Sequence, residues 1–161
     1  MRLEKMIGDH LRAKGWTLSI AESCTGGLVS DLITDVPGSS DYFEGGIISY
    51  SNLAKVELLG IPSTSIRRYG AVSSQVAKKM AEGVRKAFHT TFGVSITGIA
   101  GPGGGSRKKP VGLVFIAVSD GKRTIVKKEK LKGSRREIKK ESARRSLKYF
   151  YDFITNNQIL I

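Results

Sequence analysis

Ser23 stands where an apolar run meets a pair of glycines, in Ala21-Glu22-Ser23-Cys24-Thr25-Gly26-Gly27. A strand that runs into glycines at the start of a helix points successive backbone N–H groups into one spot, where the helix dipole favours negative charge. Such a spot can hold a phosphate or stabilise an oxyanion. A serine at its tip has its hydroxyl beside those donors, as a nucleophile requires. The same residues also read as a plain helix start capped by Ser23 or Thr25, and the local sequence does not choose between the two.

A serine nucleophile needs a base. The two histidines, His10 on a helix face and His89 at a helix end, stand near no candidate nucleophile in the sequence. Lysine is then the natural alternative, through a serine–lysine variant of triad logic. Lys55 follows Tyr50-Ser51-Asn52-Leu53-Ala54, a segment in which Ser51 or Asn52 can cap a helix and leave the lysine in its first turn. A cation there sits against the positive end of the dipole. Bringing a lysine amine to neutrality near pH 7 takes about 4–5 kcal/mol of differential destabilisation. The dipole supplies at most about 1–2 kcal/mol, so desolvation must supply the rest. On spacing alone an ordinary solvated lysine is the simpler reading, and Tyr50 at a strand end is equally open.

The third segment is Thr97-Gly98-Ile99-Ala100-Gly101-Pro102-Gly103-Gly104-Gly105-Ser106, directly after a predicted strand. It is neither a dinucleotide fingerprint nor a Walker loop, because no Gly-Lys-Ser/Thr occurs and no helix evidently follows. Its glycines imply either close backbone approach to a ligand or a mobile turn. Arg107-Lys108-Lys109 on its far side could attract a phosphate or merely solubilise the loop.

The elements that must position these residues follow from periodicity. Leu3, Met6, Ile7, His10 and Leu11 recur at helical spacing, with Gly15 as the stop, and Trp16 to Ala21 reads as a strand. A helix is expected from Thr25-Gly26-Gly27 to about Ile33, a strand over Gly46–Tyr50, and a helix from Asn52 to Leu59 ending at Gly60. Ser73 is a plausible N-cap for a helix carrying Val76, Met80, Val84 and Phe88 on one face. Strands are expected over Gly93–Thr97, over the apolar run Val111–Val118 and over the charged Thr124–Leu131. Ala143, Leu147, Phe150, Tyr151 and Ile154 mark a C-terminal amphipathic helix. The alternation predicts a single-domain, three-layer α/β/α sandwich over residues 1–161 with a mostly parallel or mixed sheet, whose strand order the pattern leaves open.

Composition narrows the function classes. No apolar run approaches the roughly 18 residues of a membrane span. One cysteine, Cys24, leaves no internal disulfide, and the N-terminus lacks the apolar block of a signal peptide, so the cytoplasm is expected. No Cys/His cluster suggests a metal site. The net charge of +13 favours anionic partners. Much of the excess lies in the pairs Lys127-Lys128, Arg135-Arg136, Lys139-Lys140 and Arg144-Arg145, which read more simply as a solvated face than as a nucleic-acid surface, since interleaved aromatics are missing.

Taken in order, these segments resemble the CinA C-terminal domain family, the PncC-type nicotinamide-nucleotide amidases. The resemblance runs over nearly the whole chain. It is carried by Ala21–Gly27, by Pro37-Gly38-Ser39-Ser40 with Phe43, by Gly45 through Tyr50-Ser51-Asn52 and Lys55 to Gly60, by Gly70-Ala71-Val72-Ser73, by Ser95–Pro102 and by Lys109-Pro110-Val111-Gly112. It implies metal-free, cofactor-free deamidation of a phosphorylated pyridine nucleotide, nicotinamide mononucleotide, with Ser23, Lys55 and Tyr50 as the catalytic group. It further implies Thr25, Gly26, Gly27, Gly45, Thr97, Gly98 and Gly101 as oxyanion or substrate contacts, with Arg135 as a phosphate ligand and a homodimer as the assembly to test. The chain departs from the family's pattern at Leu53 (many relatives have glutamate), Ser134 (aspartate) and Arg107-Lys108 (acidic residues). A catalytically silent nucleotide-binding module and a basic nucleic-acid-binding protein are the alternatives.

Overall fold

The computed structural model describes residues 1–156; residues 157–161, counted into the expected domain, lie outside the described residues. Helix α1 (Leu3–Lys14) ends at Gly15, whose φ of 66° is the left-handed stop expected of it. Strand β1 (Leu18–Glu22) is buried throughout. It starts two residues later than predicted, because Trp16 turns edge-on to Phe92, with ring centroids 5.3 Å apart, instead of joining the ladder. Helix α2 (Leu28–Thr34) starts after the two glycines, at φ 61° and 107° for Gly26 and Gly27, so Thr25–Gly27 is a turn and not the first helical turn expected.

Strand β2 (Phe43–Ile48) lies earlier in the chain than predicted and stops before Tyr50. Helix α3 (Asn52–Leu59) has the expected bounds, with Ser51 Oγ accepting from Ala54 N–H and Gly60 closing it. A short helix α4 (Ser63–Tyr69) follows, which the apolar pattern did not suggest. Helix α5 (Ser74–Phe88) is capped by Ser73, as expected. Strands β3 (Phe92–Gly98), β4 (Leu113–Ser119) and β5 (Thr124–Lys130) precede the long helix α6 (Arg135–Asn156). Ser134 caps α6: its hydroxyl accepts from Glu137 N–H and donates to Glu137 Oε1.

The five strands form one mixed sheet in the order β2-β1-β3-β4-β5. The pairings of β1 with β2 and with β3 are parallel, and those of β4 with β3 and β5 are antiparallel. Strand β4 shows why the layers hold. Val114, Ile116 and Val118 face a core with Ile7 and Leu11 of α1, Val29 and Ile33 of α2, and Ile138, Leu147 and Phe150 of α6. Leu113, Phe115 and Ala117 face Ala77 and Ala81 of α5. A strand covered on both faces is apolar at every position, which is why it read as an unbroken run. The result is a helix–sheet–helix sandwich, with α3, α4 and α5 on one side.

The topology also places the chemistry. The chain leaves β1 for β2 on one side and returns to β3 on the other, so the order switches at β1. A crevice opens outside the carboxyl ends of strands at such a point. Ser23 follows β1, Ser49 and Tyr50 follow β2, and Gly98 closes β3, all at that edge.

Candidate active site

The crevice is a cavity of about 260 Å³ bordered by Ser23, Cys24, Tyr50, Lys55, Thr97, Gly98, Gly101 and Arg135. Two strand-to-helix junctions build its floor. At the first, Ser23 N–H donates to Ile96 O at 3.0 Å, which ties the turn to β3. Ser23 is 8% exposed, so its hydroxyl sits at the bottom of the cleft. At the second junction, Lys55 is 1% exposed.

Lys55 Nζ lies 3.0 Å from Ser23 Oγ and donates to Ser49 O at 2.7 Å and to Tyr50 O at 3.4 Å. A neutral amine has two hydrogens and one lone pair. Three acceptors surround Nζ; in the neutral amine the two carbonyls take the two hydrogens, and the lone pair that remains faces the serine hydroxyl. Burial pushes the lysine below its ordinary range, and among the described residues no carboxylate acts against it. The desolvation that spacing alone left undecided is therefore present. The neighbouring Cys24 thiol is pushed up to about 12, chiefly by burial, and stays protonated.

A residue that sequence reasoning left without a role holds the serine turn in shape. Glu22, 1% exposed at the end of β1, accepts from Thr25 Oγ1 at 2.6 Å, Gly27 N–H at 3.2 Å and Val29 N–H at 2.9 Å through Oε1. Through Oε2 it accepts from Ser30 N–H at 3.0 Å and Ser30 Oγ at 2.7 Å. A carboxylate at the end of a fully buried strand must find such donors. The hydroxyls and free amides at positions 25–30 were the signal that could have revealed it.

That carboxylate changes the expected oxyanion set. Gly27 N–H belongs to Glu22, and Gly26 N–H donates to Ser23 O at 3.1 Å, so neither faces a substrate. Among the described residues the amides of Cys24 and Thr25 make no backbone hydrogen bond, which leaves them as the donors beside Ser23. Tyr50 is also placed differently from a proton relay. Its side chain is 60% exposed, and its hydroxyl accepts from Arg135 Nη2 at 3.0 Å, so only its carbonyl reaches Lys55. Arg135 Nη1 donates to Gly101 O at 2.7 Å, so this guanidinium clasps the cleft rim by joining Tyr50 to the glycine loop.

Thr97 donates through Oγ1 to Ala71 O at 2.9 Å and, with Gly98, forms the wall opposite Ser23. Gly98 leaves no room for a side chain, since a Cβ would meet Val114 Cγ2 at 2.7 Å. Gly45 does not join the site. It sits within β2, where the Phe88 ring occupies the space of a side chain; the close approach its glycine signals is to α5. Among the described residues no group of three or more metal-ligating side chains occurs, and no helix is long and apolar enough to cross a membrane.

Fold and site together define a mixed α/β protein with a buried serine–lysine pair at the switch point of its sheet. Residues 1–154 match the CinA C-terminal domain, and the chain belongs to that family. It is 49% identical over 145 residues to a CinA-like protein of Acidobacterium capsulatum, covering 90% of this chain and 35% of that protein. It is 44% identical over 158 residues to a CinA-like protein of Syntrophobacter fumaroxidans, covering 98% and 37%. The chain thus spans roughly a third of the length of these curated relatives. Among solved structures it resembles the competence/damage inducible protein CihA of Agrobacterium tumefaciens, at 37% identity and TM-score 0.90 over 92% of each chain. It also resembles a CinA superfamily protein of Escherichia coli, at 26% identity and TM-score 0.91 over 94% and 88%.

Proposed function

We propose that the chain acts as one amidase domain that deamidates nicotinamide mononucleotide to nicotinic acid mononucleotide and ammonia, with Ser23 as nucleophile and Lys55 as its base. The observation that carries the chemistry is the 3.0 Å approach of a buried, uncompensated amine to the serine hydroxyl. The substrate follows from the family resemblance of the motifs that line the cleft.

Lys55 takes the Ser23 proton as Oγ attacks the carboxamide carbon, and the carbonyl oxygen becomes an oxyanion held by the Cys24 and Thr25 amides. The Lys55 ammonium returns that proton to the amide nitrogen, the C–N bond breaks and ammonia leaves. Water, deprotonated by the now neutral Lys55, attacks the Ser23 ester. Collapse releases the carboxylic acid and restores the serine with the proton from Lys55. Lys55 reaches Ser23 directly, so Tyr50 needs no part in the transfer; with Arg135 it shapes the mouth.

The test is ammonia release from nicotinamide mononucleotide by the purified chain and by Ser23→Ala. Wild-type turnover abolished by the substitution is expected. Substrate binding without turnover in the wild type, or an active Ser23→Ala protein, would remove the reading.

A further inference from the structure

A second cavity, of about 320 Å³, lies on the other side of the serine turn, lined by Thr25, Gly26 and Gly27 and by Arg136, Lys139 and Lys140 of α6. These three cations differ from the others on the same helix. Arg144 pairs with Glu141 at 2.6 Å, Arg145 with Glu129 at 2.6 Å and with Glu141 at 2.8 Å, and Lys148 with Asp152 at 3.1 Å. Glu137, the acid closest to the first group in sequence, is turned instead to the Ser134 hydroxyl. Among the described residues Arg136, Lys139 and Lys140 therefore have no carboxylate partner. Three like charges lining one concavity repel one another unless an anion sits among them. Asp31 is the one carboxylate at the cavity, which leaves an excess of two positive charges there.

The cavity adjoins the catalytic one. Lys139 Nζ lies 3.8 Å from where a Cβ of Gly26 would stand, and its charge reaches the Cys24 thiol. Lys139 and Arg135 are four residues apart on one helix face, about 6 Å along the axis. Arg135 is committed to Gly101 and Tyr50, and the Gly26 and Gly27 amides are committed to Ser23 and Glu22. Side-chain cations, and not a helix start, are what remains to hold an anion.

We infer that Arg136, Lys139 and Lys140 form the subsite for the phosphoryl group of the nucleotide whose amide lies at Ser23. The assignment rests on the amidase reading above and moves the phosphate from Arg135, where motif resemblance put it, to its neighbour Arg136 and the lysines one turn further along α6. It makes the substrate class a phosphorylated nucleoside amide, with room beside the phosphate for a second phosphoryl group.

Two readouts test it. Calorimetry with inorganic pyrophosphate is run on the wild type, on the triple variant Arg136→Gln/Lys139→Gln/Lys140→Gln and on the charge-matched control Arg144→Gln/Arg145→Gln/Lys148→Gln. In parallel, the ratio of kcat/KM for the nucleotide to that for its unphosphorylated nucleoside is measured. A charge-assisted contact is worth about tenfold or more in affinity, so the triple variant should lose pyrophosphate binding by at least about a hundredfold, and the ratio should fall in step. The control should keep both, and Asp31→Asn should tighten pyrophosphate a few-fold. Wild-type values of both readouts in the triple variant would overturn the inference. So would lost pyrophosphate binding with an unchanged ratio, which would make the cavity an anion site apart from the substrate. A chain that hydrolyses neither amide would sink the amidase reading, while the pyrophosphate arm would still decide whether the cavity binds phosphoryl groups.

Discussion

Glu22 and Lys55 are equally buried, at 1% exposure each, and lie on the two strand-to-helix junctions that flank the cleft. Glu22 is surrounded by five donors, three of them backbone amides of the turn it braces. Lys55 has two backbone carbonyls, a serine hydroxyl and, among the described residues, no carboxylate. A buried carboxylate whose oxygens are filled with hydrogen bonds serves architecture. A buried amine without a counter-charge is held away from its charged form and is available for chemistry.

Four substitutions would break or sharpen this contrast. Ser23→Ala, which leaves both buried groups in place, should lower amide turnover about 10⁴-fold or more, with unfolding by urea unchanged. Lys55→Met should lower kcat/KM about 10³-fold. Its stability should also respond to pH in a defined sense. The folded protein disfavours the Lys55 ammonium, so wild-type stability falls as pH drops from the ordinary lysine range toward the lowered folded-state value. The wild type should therefore gain on Lys55→Met as pH rises through that interval, and a flat difference would contradict an uncompensated amine.

Glu22→Ala should cost roughly 3–5 kcal/mol in urea unfolding, since it strands the Thr25 and Ser30 hydroxyls and three amides. A loss below about 1 kcal/mol would mean that the turn holds its own shape. The smallest effect belongs to Tyr50→Phe, which removes one contact to Arg135 and should change kcat by less than about tenfold. A loss as deep as that of Lys55→Met would return Tyr50 to the proton pathway.

Much of the scaffold was legible because its signals are local. Ser51 and Gly60 bracket α3, and Ser73 opens α5, because caps act within one turn of the residue that carries them. Strand order was not, because any buried parallel strand shows the same apolar run. At the site, side-chain identity pointed to Ser23 and Lys55, whereas backbone groups decided what the other candidates do. Tyr50 contributes its carbonyl to the lysine, the amides of Gly26 and Gly27 are consumed by Ser23 and Glu22, and Gly45 makes room for Phe88. A glycine in a sequence marks close approach without saying to what, and that ambiguity separates the contacts implied by motif from those in the cleft.

The central claim is that Lys55 is uncharged when Ser23 attacks. It is tested most directly by following the Lys55 side chain by NMR in a lysine-labelled protein across the alkaline range, with Lys55→Met to assign its signal, beside the pH profile of kcat/KM. The account predicts a Lys55 titration well below that of the surface lysines, coinciding with the acid limb of the rate profile. A signal that titrates with the surface lysines while the enzyme is already fully active at neutral pH would contradict it.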